Sequence, residues 1–336
     1  MVTVLLPEDE FTHVPDPVPN YNESMYLNGF DLENEVGAWF RIGNRVNEGY
    51  AEMTVCVYLP DGRVGFTYAR PKIDNNDAMA AGGLVIEVVE PFEHLTIAYD
   101  GRLCLLDDPR QMADPRNAFK NNPMVECEAR LEVTGVSPMY GGLPQYEDGS
   151  PIETDAENSF AKAHYEQHTA VNGTIVVGEE TITLDGFGLR DKSWGPRYWQ
   201  AIDWYRWLPM TFGPDFAMML SIVTRNGEQS TGGMVLEGDE YHRVRECRVE
   251  SDFDDDGYQT AMRCWARTDH DEYEIEGEVL SLIPLRNRRN TGDGQVLHTR
   301  ITEGMTRFTC NGRTGMGMSE YLDQVDPTRL DDHPAS

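Results

Sequence analysis

From residue 24 onward, apolar and polar residues alternate in short runs: Met25-Tyr-Leu-Asn-Gly-Phe, Gly37-Ala-Trp-Phe-Arg-Ile, Ala51-Glu-Met-Thr-Val-Cys-Val-Tyr-Leu, Val64-Gly-Phe-Thr-Tyr-Ala, Leu84-Val-Ile-Glu-Val-Val and Leu95-Thr-Ile-Ala-Tyr. A period of two with β-branched and aromatic enrichment predicts strands. Turn signals such as Pro60-Asp-Gly and Asp100-Gly separate them, at the spacing of an antiparallel meander. The strand Val125 to Val133, the segment Tyr165 to Val171 and the hairpin beginning Gly173-Thr-Ile-Val-Val continue the series. The second half repeats it, with runs starting at Trp204, Phe216, Gly232, His242, Gln259, Tyr273 and Val296.

These runs predict an all-β chain of two consecutive antiparallel barrels or sandwiches, residues 24–185 and 186–325. An extended, Pro-rich arm over 1–23 precedes them and a polar tail over 326–336 follows. Two loop-rich intervals, Pro109 to Pro123 and Pro138 to Ala163, interrupt the first half. The pattern supports no long amphipathic helix, and a short one only around Ala156 to Ala163.

Charge narrows the partners. With 28 basic against 58 acidic residues among 336, the net charge of −30 repels phosphate backbones and anionic lipid surfaces. The one basic cluster, Arg286, Arg288 and Arg289, reads as a solvated hairpin loop. No apolar run reaches membrane-spanning length and no basic-then-apolar leader opens the chain, so the expectation is a cytoplasmic protein without membrane insertion. Six scattered cysteines without a C-x-x-C pair read as reduced, buried thiols. His164 and His168 are spaced for a metal only on a helix, whereas Tyr165-Glu-Gln-His-Thr-Ala-Val reads as a strand, so no metal and no cofactor are expected. Asp252 to Gly257 imitates the start of a calcium loop but has Arg263 where a bidentate Glu belongs, which favours a hairpin turn.

Candidate chemistry concentrates in Asp185-Gly-Phe-Gly-Leu-Arg-Asp-Lys-Ser-Trp-Gly-Pro-Arg-Tyr-Trp199. Four of the six tryptophans (Trp194, Trp199, Trp204, Trp207) fall within fourteen residues there and just beyond, beside Arg190, Asp191, Arg197 and Arg206. Rings and charges on one wall would strip water from a carboxyl and raise its pKa, as a general acid requires. The structural alternative has equal standing: tryptophans in a core, Gly195-Pro196 as a turn and Asp191 locked to an arginine. No G-x-S-x-G, phosphate-binding glycine loop or dinucleotide fingerprint occurs, which removes the common hydrolase, kinase and dehydrogenase readings.

Gly188-Leu-Arg-Asp-Lys-Ser-Trp-Gly-Pro-Arg197, with Tyr165-Glu-Gln-His168, Val36-Gly-Ala-Trp-Phe-Arg-Ile-Gly and Gly315-Met-Gly-Met-Ser-Glu-Tyr321, resembles the carotenoid 1,2-hydratase-like (hydroxyneurosporene synthase-like) family of paired lipocalin-type β-barrels. The resemblance implies two lipocalin-like barrels with a ligand pocket at or near their junction. It also implies activities that range from hydration of isoprenoid double bonds to cyclisation. The chain carries Lys192 where that family more often has histidine, so acid–base chemistry here needs another donor.

The resulting expectation is a cofactor-independent lyase or isomerase acting on a mostly apolar terpenoid, steroid or aromatic molecule. Asp191 is the acid, Glu166 or His168 the base, and Arg197 and Arg190 orient or stabilise anionic groups. Tyr205 and Tyr321 are further donors, Trp194, Trp199 and Trp204 line the substrate, and Glu320 joins them. Two alternatives stay open: carbon–carbon cleavage releasing a small aldehyde from an aromatic substrate, and a barrel that binds apolar ligands without changing them. The only expected partner besides the substrate is a second copy, in a homodimer.

Overall fold

The alternating runs become strands in the computed structural model, which describes residues 2–153, 155, 159–290 and 296–325, except that the run from His242 is broken at Val244–Arg245 between two strands, Glu240–Arg243 and Glu246–Phe253. The Ala156 end of the expected short helix lies outside the described residues, and its Ala163 end opens a strand. The chain folds as two compact units: Met1–Leu106 with Asn122–Tyr198, and Asp107–Asn121 with Trp199–Ser336. The sequence reading divides the chain at 185/186. That point falls inside one continuous strand, Glu180–Pro196, which stays whole in the first unit because it pairs along its length with strands on both sides.

The first unit contains β1 (Val2–Val4), β2 (Tyr21–Asp31), β3 (Val36–Arg45), β4 (Tyr50–Tyr58), β5 (Val64–Ala69), β6 (Ala80–Ala81), β7 (Leu84–Glu90), β8 (His94–Leu106), β9 (Met124–Gly135), β10 (Tyr140–Gln145), β11 (Ala163–Val177) and β12 (Glu180–Pro196). Its hydrogen bonds close a ring, β2-β3-β4-β5-β8-β9-β11-β12 and back to β2, antiparallel throughout. Closure leaves the ring without a free edge, as in lipocalin-like barrels. Inward residues of alternate parity (Met25, Leu27, Phe40, Ile42, Met53, Val55, Val57, Val171, Ile175, Leu184) form one apolar core.

Two-residue periodicity predicts a wet outer face, and here the structure departs from it. β2 is buried along its whole length, so Asn22, Ser24, Tyr26 and Asn28 on the outward side are covered as fully as Met25 and Leu27 on the inward side. Burying polar side chains without function or partners is costly, so this outer face is the place to look for chemistry.

Of the expected extended arm, Val2 to Asn20 lie against the barrel and Tyr21 to Glu23 already belong to β2. β1 adds to β10, a 3-10 turn spans Pro7–Glu10, and Glu10 is buried against the barrel. The reason is charge: the inward residues of β12 include Arg190 and Lys192, and the N-terminal segment brings the acceptors they need.

β12 and β2 approach so closely that a Cβ on Gly188 would stand 1.9 Å from the Asn28 carbonyl oxygen. Gly188→Ala should therefore force the strands apart and cost about 1–3 kcal/mol or more, which urea unfolding would measure. An unchanged midpoint would show that the pair yields without strain.

The second unit contains β13 (Trp204–Thr211), β14 (Phe216–Arg225), β15 (Glu228–Glu237), β16 (Glu240–Arg243), β17 (Glu246–Phe253), β18 (Gln259–Arg267), β19 (Glu272–Asn290), β20 (Val296–Cys310) and β21 (Arg313–Val325). They pair in the order β16-β15-β14-β13-β21-β20-β19-β18-β17, and β17 packs back onto β14 and β15 over a second apolar core. The interval expected as a loop, Pro109 to Pro123, holds a 3-10 turn and the short helix α1 (Pro115–Asn121). It belongs to this unit, where Arg110 pairs with Asp254 at 2.6 Å and lies over Tyr258. Asp252 and Phe253 end β17, and Asp254 to Gly257 form the β17–β18 hairpin turn, with Asp254 accepting from the Asp256 and Tyr258 amides. The Arg286 and Arg288 side chains are exposed, but on β19, which runs on past the expected loop. All six cysteines are free and buried. Among the described residues no helix is long and apolar enough to cross a membrane.

Candidate functional site

Strand parity sorts the signature segment into two faces. Glu166 stands opposite Asp191 and His164 opposite Ser193, so these four side chains share the outward face of the first unit. Tyr165 stands opposite Lys192 and Gln167 opposite Arg190, on the inward face. Consecutive residues on β12 therefore serve different ends.

On the outward face, His164 Nε2 is hydrogen-bonded to Asp191 Oδ2 and lies 3.8 Å from Glu166 Oε1. The His164 side chain is 47% exposed, Asp191 21% and Glu166 1%. Burial works against the imidazolium, but the Asp191 carboxylate and then Glu166 outweigh it and push the His164 pKa up to about 9; the Arg197 charge opposes them. The ring is thus a cation at neutral pH, oriented through one nitrogen and open at the other edge. Arg197 donates to Ser193 Oγ at 2.6 Å and lies over the Phe160 ring. Tyr26 stands directly opposite Asp191 across the β12–β2 pair and stacks on Trp39 at 5.8 Å. The Trp39 indole N–H donates to Tyr58 Oη, and Asn28 Nδ2 donates to Tyr26 Oη. An acid–base cluster therefore adjoins a floor of aromatic rings. The His168 side chain has the same parity as Glu166, two residues farther along β11, and is fully buried.

His164, Glu166 and Asp191 also place one ligand atom each within 4.8 Å of one another, a set able to hold a divalent cation. The expectation of no metal ligands did not anticipate this set, because it judged His164 by its helical spacing to His168 and not by its parity with Glu166.

The inward face is a lock. Lys192 Nζ donates to the carbonyls of Asp9 at 2.6 Å and Phe11 at 2.5 Å and pairs with Glu23 at 2.9 Å. Burial holds the Lys192 pKa below its usual value despite Glu23. Arg190 is bound by Glu10 and by Gln167, and Trp194 is stacked on His13 at 4.1 Å. Arg190 and Trp194 are thus turned away from Asp191, and the expected single wall of rings and charges does not form.

The remaining expected residues lie in the second unit, and they separate there too. Tyr205 donates to Glu320 on one face of the sheet. Trp204 and Tyr321 lie on the other, over the Arg206 guanidinium, and Tyr321 bonds Ser251 within the second core. Trp199 opens a 3-10 turn, Trp199–Ala201. Sequence reasoning missed His164, Tyr26 and Trp39. The i, i+2 series His164-x-Glu166-x-His168 on a segment already read as a strand was the available signal.

Comparison with known proteins agrees with this architecture. The profile of a family described as "Domain of unknown function (DUF7064)" matches residues 6–325. No curated protein matches the sequence. Among solved structures, an AttH-type protein of Nitrosomonas europaea superposes with a TM-score of 0.56 at 13% identity, covering 96% of each chain. CghA, crystallised with Sch210972, gives 0.53 at 11% identity over 96% of this chain and 95% of its own. Kievitone hydratase of Nectria haematococca gives 0.55 at 8% identity over 95% of this chain and 92% of its own. At these identities the likeness is one of fold: two lipocalin-like β units in one chain.

Proposed function

We propose, for a chain that belongs to the DUF7064 family, a lyase that adds or removes water at an activated double bond of a mostly apolar, ring-containing small molecule. One observation carries the reading: a half-exposed His164 ring held by Asp191, with the buried Glu166 carboxylate 3.8 Å from the same nitrogen. The hydratase among the fold relatives supports it.

In the eliminating direction, Glu166 takes the proton next to the activating group and the C–H electron pair becomes the double bond. The C–O bond breaks as His164 gives its proton to the departing hydroxyl, and water leaves. Glu166 then holds a proton and His164 has lost one; release of the first to water and uptake of the second from water at the exposed ring edge reset the site. Asp191 changes role from the sequence expectation: it orients and charges the imidazole rather than acting as the acid, the division of labour known from carboxylate–histidine pairs. His164 is the donor here, and position 192, on the inward face of β12, takes no part in this outward site. Arg197 faces the negative charge that develops on the activating group, and the Tyr26 and Trp39 rings hold the apolar body.

Incubating the purified protein with pooled terpenoids, steroids and lignin-type aromatics, followed by mass spectrometry, tests this reading. A gain or loss of water that disappears in Glu166→Gln supports it. Loss of formaldehyde would move the assignment to carbon–carbon cleavage, and retention of an unchanged compound to a binding barrel. Activity removed by a chelator and restored by a divalent ion would turn the same three residues into metal ligands.

The proton inventory gives a second test. The His164 resonance should titrate near pH 9, and in Asp191→Asn its midpoint should fall towards the ordinary 6.5, because the main group holding the charge is gone. Since the acid must be protonated, the alkaline limb of kcat/KM should move down with it. A limb that stays in place would remove His164 from the acid role.

A further inference from the structure

The carboxylate of Glu10 occupies a socket assembled from three parts of the first unit that are remote in sequence. Arg190 on β12 donates to Oε2 at 2.6 Å, Tyr165 on β11 donates to Oε1 at 2.5 Å, and the Phe92 amide in the β7–β8 turn reaches Oε2 at 3.4 Å. Phe92 has a φ of 70°, a left-handed conformation that a bulky residue rarely takes. Gln167 fixes the frame, accepting from Arg190 Nε and donating to the Phe92 and Ser137 carbonyls. Every donor belongs to the barrel. Only the acceptor arrives on the N-terminal segment.

Around this bond the segment is tied to the barrel by β1 on β10, by Lys192 to the Asp9 and Phe11 carbonyls and by His13 stacked on Trp194, so Glu10 would leave the socket by a local shift of its own turn. In the turn Pro7–Glu10 only Glu10 is buried, and the neighbouring apolar side chains Leu6, Phe11 and Val14 are exposed rather than packed. Beside the socket, Met25, Leu27, Leu95, Tyr165, Arg190, Asp191 and Lys192 line a space too narrow for a water molecule.

We propose that this socket is a binding site for the carboxylate of an apolar acid, with Glu10 as its resident internal ligand. An incoming acid would take Glu10's place on Arg190, Tyr165 and the Phe92 amide and lay its chain against Met25, Leu27 and Leu95. The guanidinium and two oriented hydrogen-bond donors recognise a carboxylate, and the apolar wall selects one carrying a hydrocarbon body. The site is separate from the His164 cluster, since Arg190 and Asp191 point to opposite faces of β12, and it does not depend on the lyase reading.

The test uses the full chain carrying Glu10→Ala, with sodium octanoate, sodium acetate and 1-octanol as probes, followed by thermal unfolding and calorimetry. Octanoate should raise the unfolding temperature saturably and bind at least about tenfold more tightly than to the unsubstituted chain, where Glu10 competes. Acetate should bind at least about tenfold more weakly than octanoate for want of an apolar contact, octanol should have no effect, and adding Arg190→Met should abolish the response. Equal stabilisation of both chains by octanoate, or octanol matching octanoate, would overturn the proposal. If the alanine chain does not fold unaided, its refolding yield is read with octanoate against octanol, and Glu10→Gln is measured alongside. No octanoate-specific gain in either variant also overturns it.

Discussion

His164→Gln is expected to lower turnover about 10²- to 10⁴-fold, the range a positioned acid–base group contributes, while leaving unfolding almost unchanged. The ring is 47% exposed and its bond to Asp191 is a partly solvated one, so stability should move by no more than about 0.5 kcal/mol. Glutamine keeps a donor near Asp191 but cannot release a proton at neutral pH, which separates loss of chemistry from loss of geometry. Single-turnover rates together with ligand affinity decide the matter. Retained turnover would end the acid assignment, and lost affinity with retained turnover would make His164 a binding residue.

Lys192→Met should have the opposite signature, a large loss of stability. The Lys192 and Glu23 side chains are 2% and 0% exposed, and methionine would leave the Glu23 carboxylate and two backbone carbonyls without the ammonium. Breaking one side of a buried pair costs about 3–5 kcal/mol, readable as a lower urea midpoint for the first unit. The effect carries a pH dependence. Burial raises the Glu23 pKa, yet the His13 hydrogen bond and Lys192 overcome this and bring it down to about 2 from an ordinary 4.5. A depressed carboxylate stabilises the fold above its unfolded pKa and loses that contribution as pH falls towards its folded one. In the methionine variant Glu23 takes up its proton at higher pH, so the gap from the unsubstituted protein should narrow in acid. A gap that is constant with pH would mean that Lys192 acts through its hydrocarbon stem.

The strands were legible because β-branched alternation and Gly or Asp turns are local signals. Two features were not, because they depend on partners far along the chain. Parity alone placed Glu166 and Asp191 on strands but not opposite one another, since register across a fifteen-residue hairpin follows from both ends of β11 and β12 together. The N-terminal arm was legible as extended from its prolines, whereas the burial of Glu10 follows from Arg190, its partner 180 residues later. The tryptophan cluster misled because nearness in sequence does not put rings on one wall: Trp194 turned inward to His13, and Trp204 joined the Arg206 side of its strand. Alternation also cannot reveal that an outward polar face is covered, and that covering is what marks the Tyr26 and Glu166 side of the barrel as special.

The pairing of β12 with β2 sets a timetable for biosynthesis. β2 to β5 emerge from the ribosome early, but their ring cannot close until Pro196 has been made, because β12 supplies the strand beside β2. At about 5–20 residues per second the delay between Asp31 and Pro196 is on the order of 10–30 s. Throughout that interval β2 keeps an unpaired edge and the apolar side chains of Met25, Leu27 and Phe40 lack their closed barrel, the condition under which aggregation competes with folding.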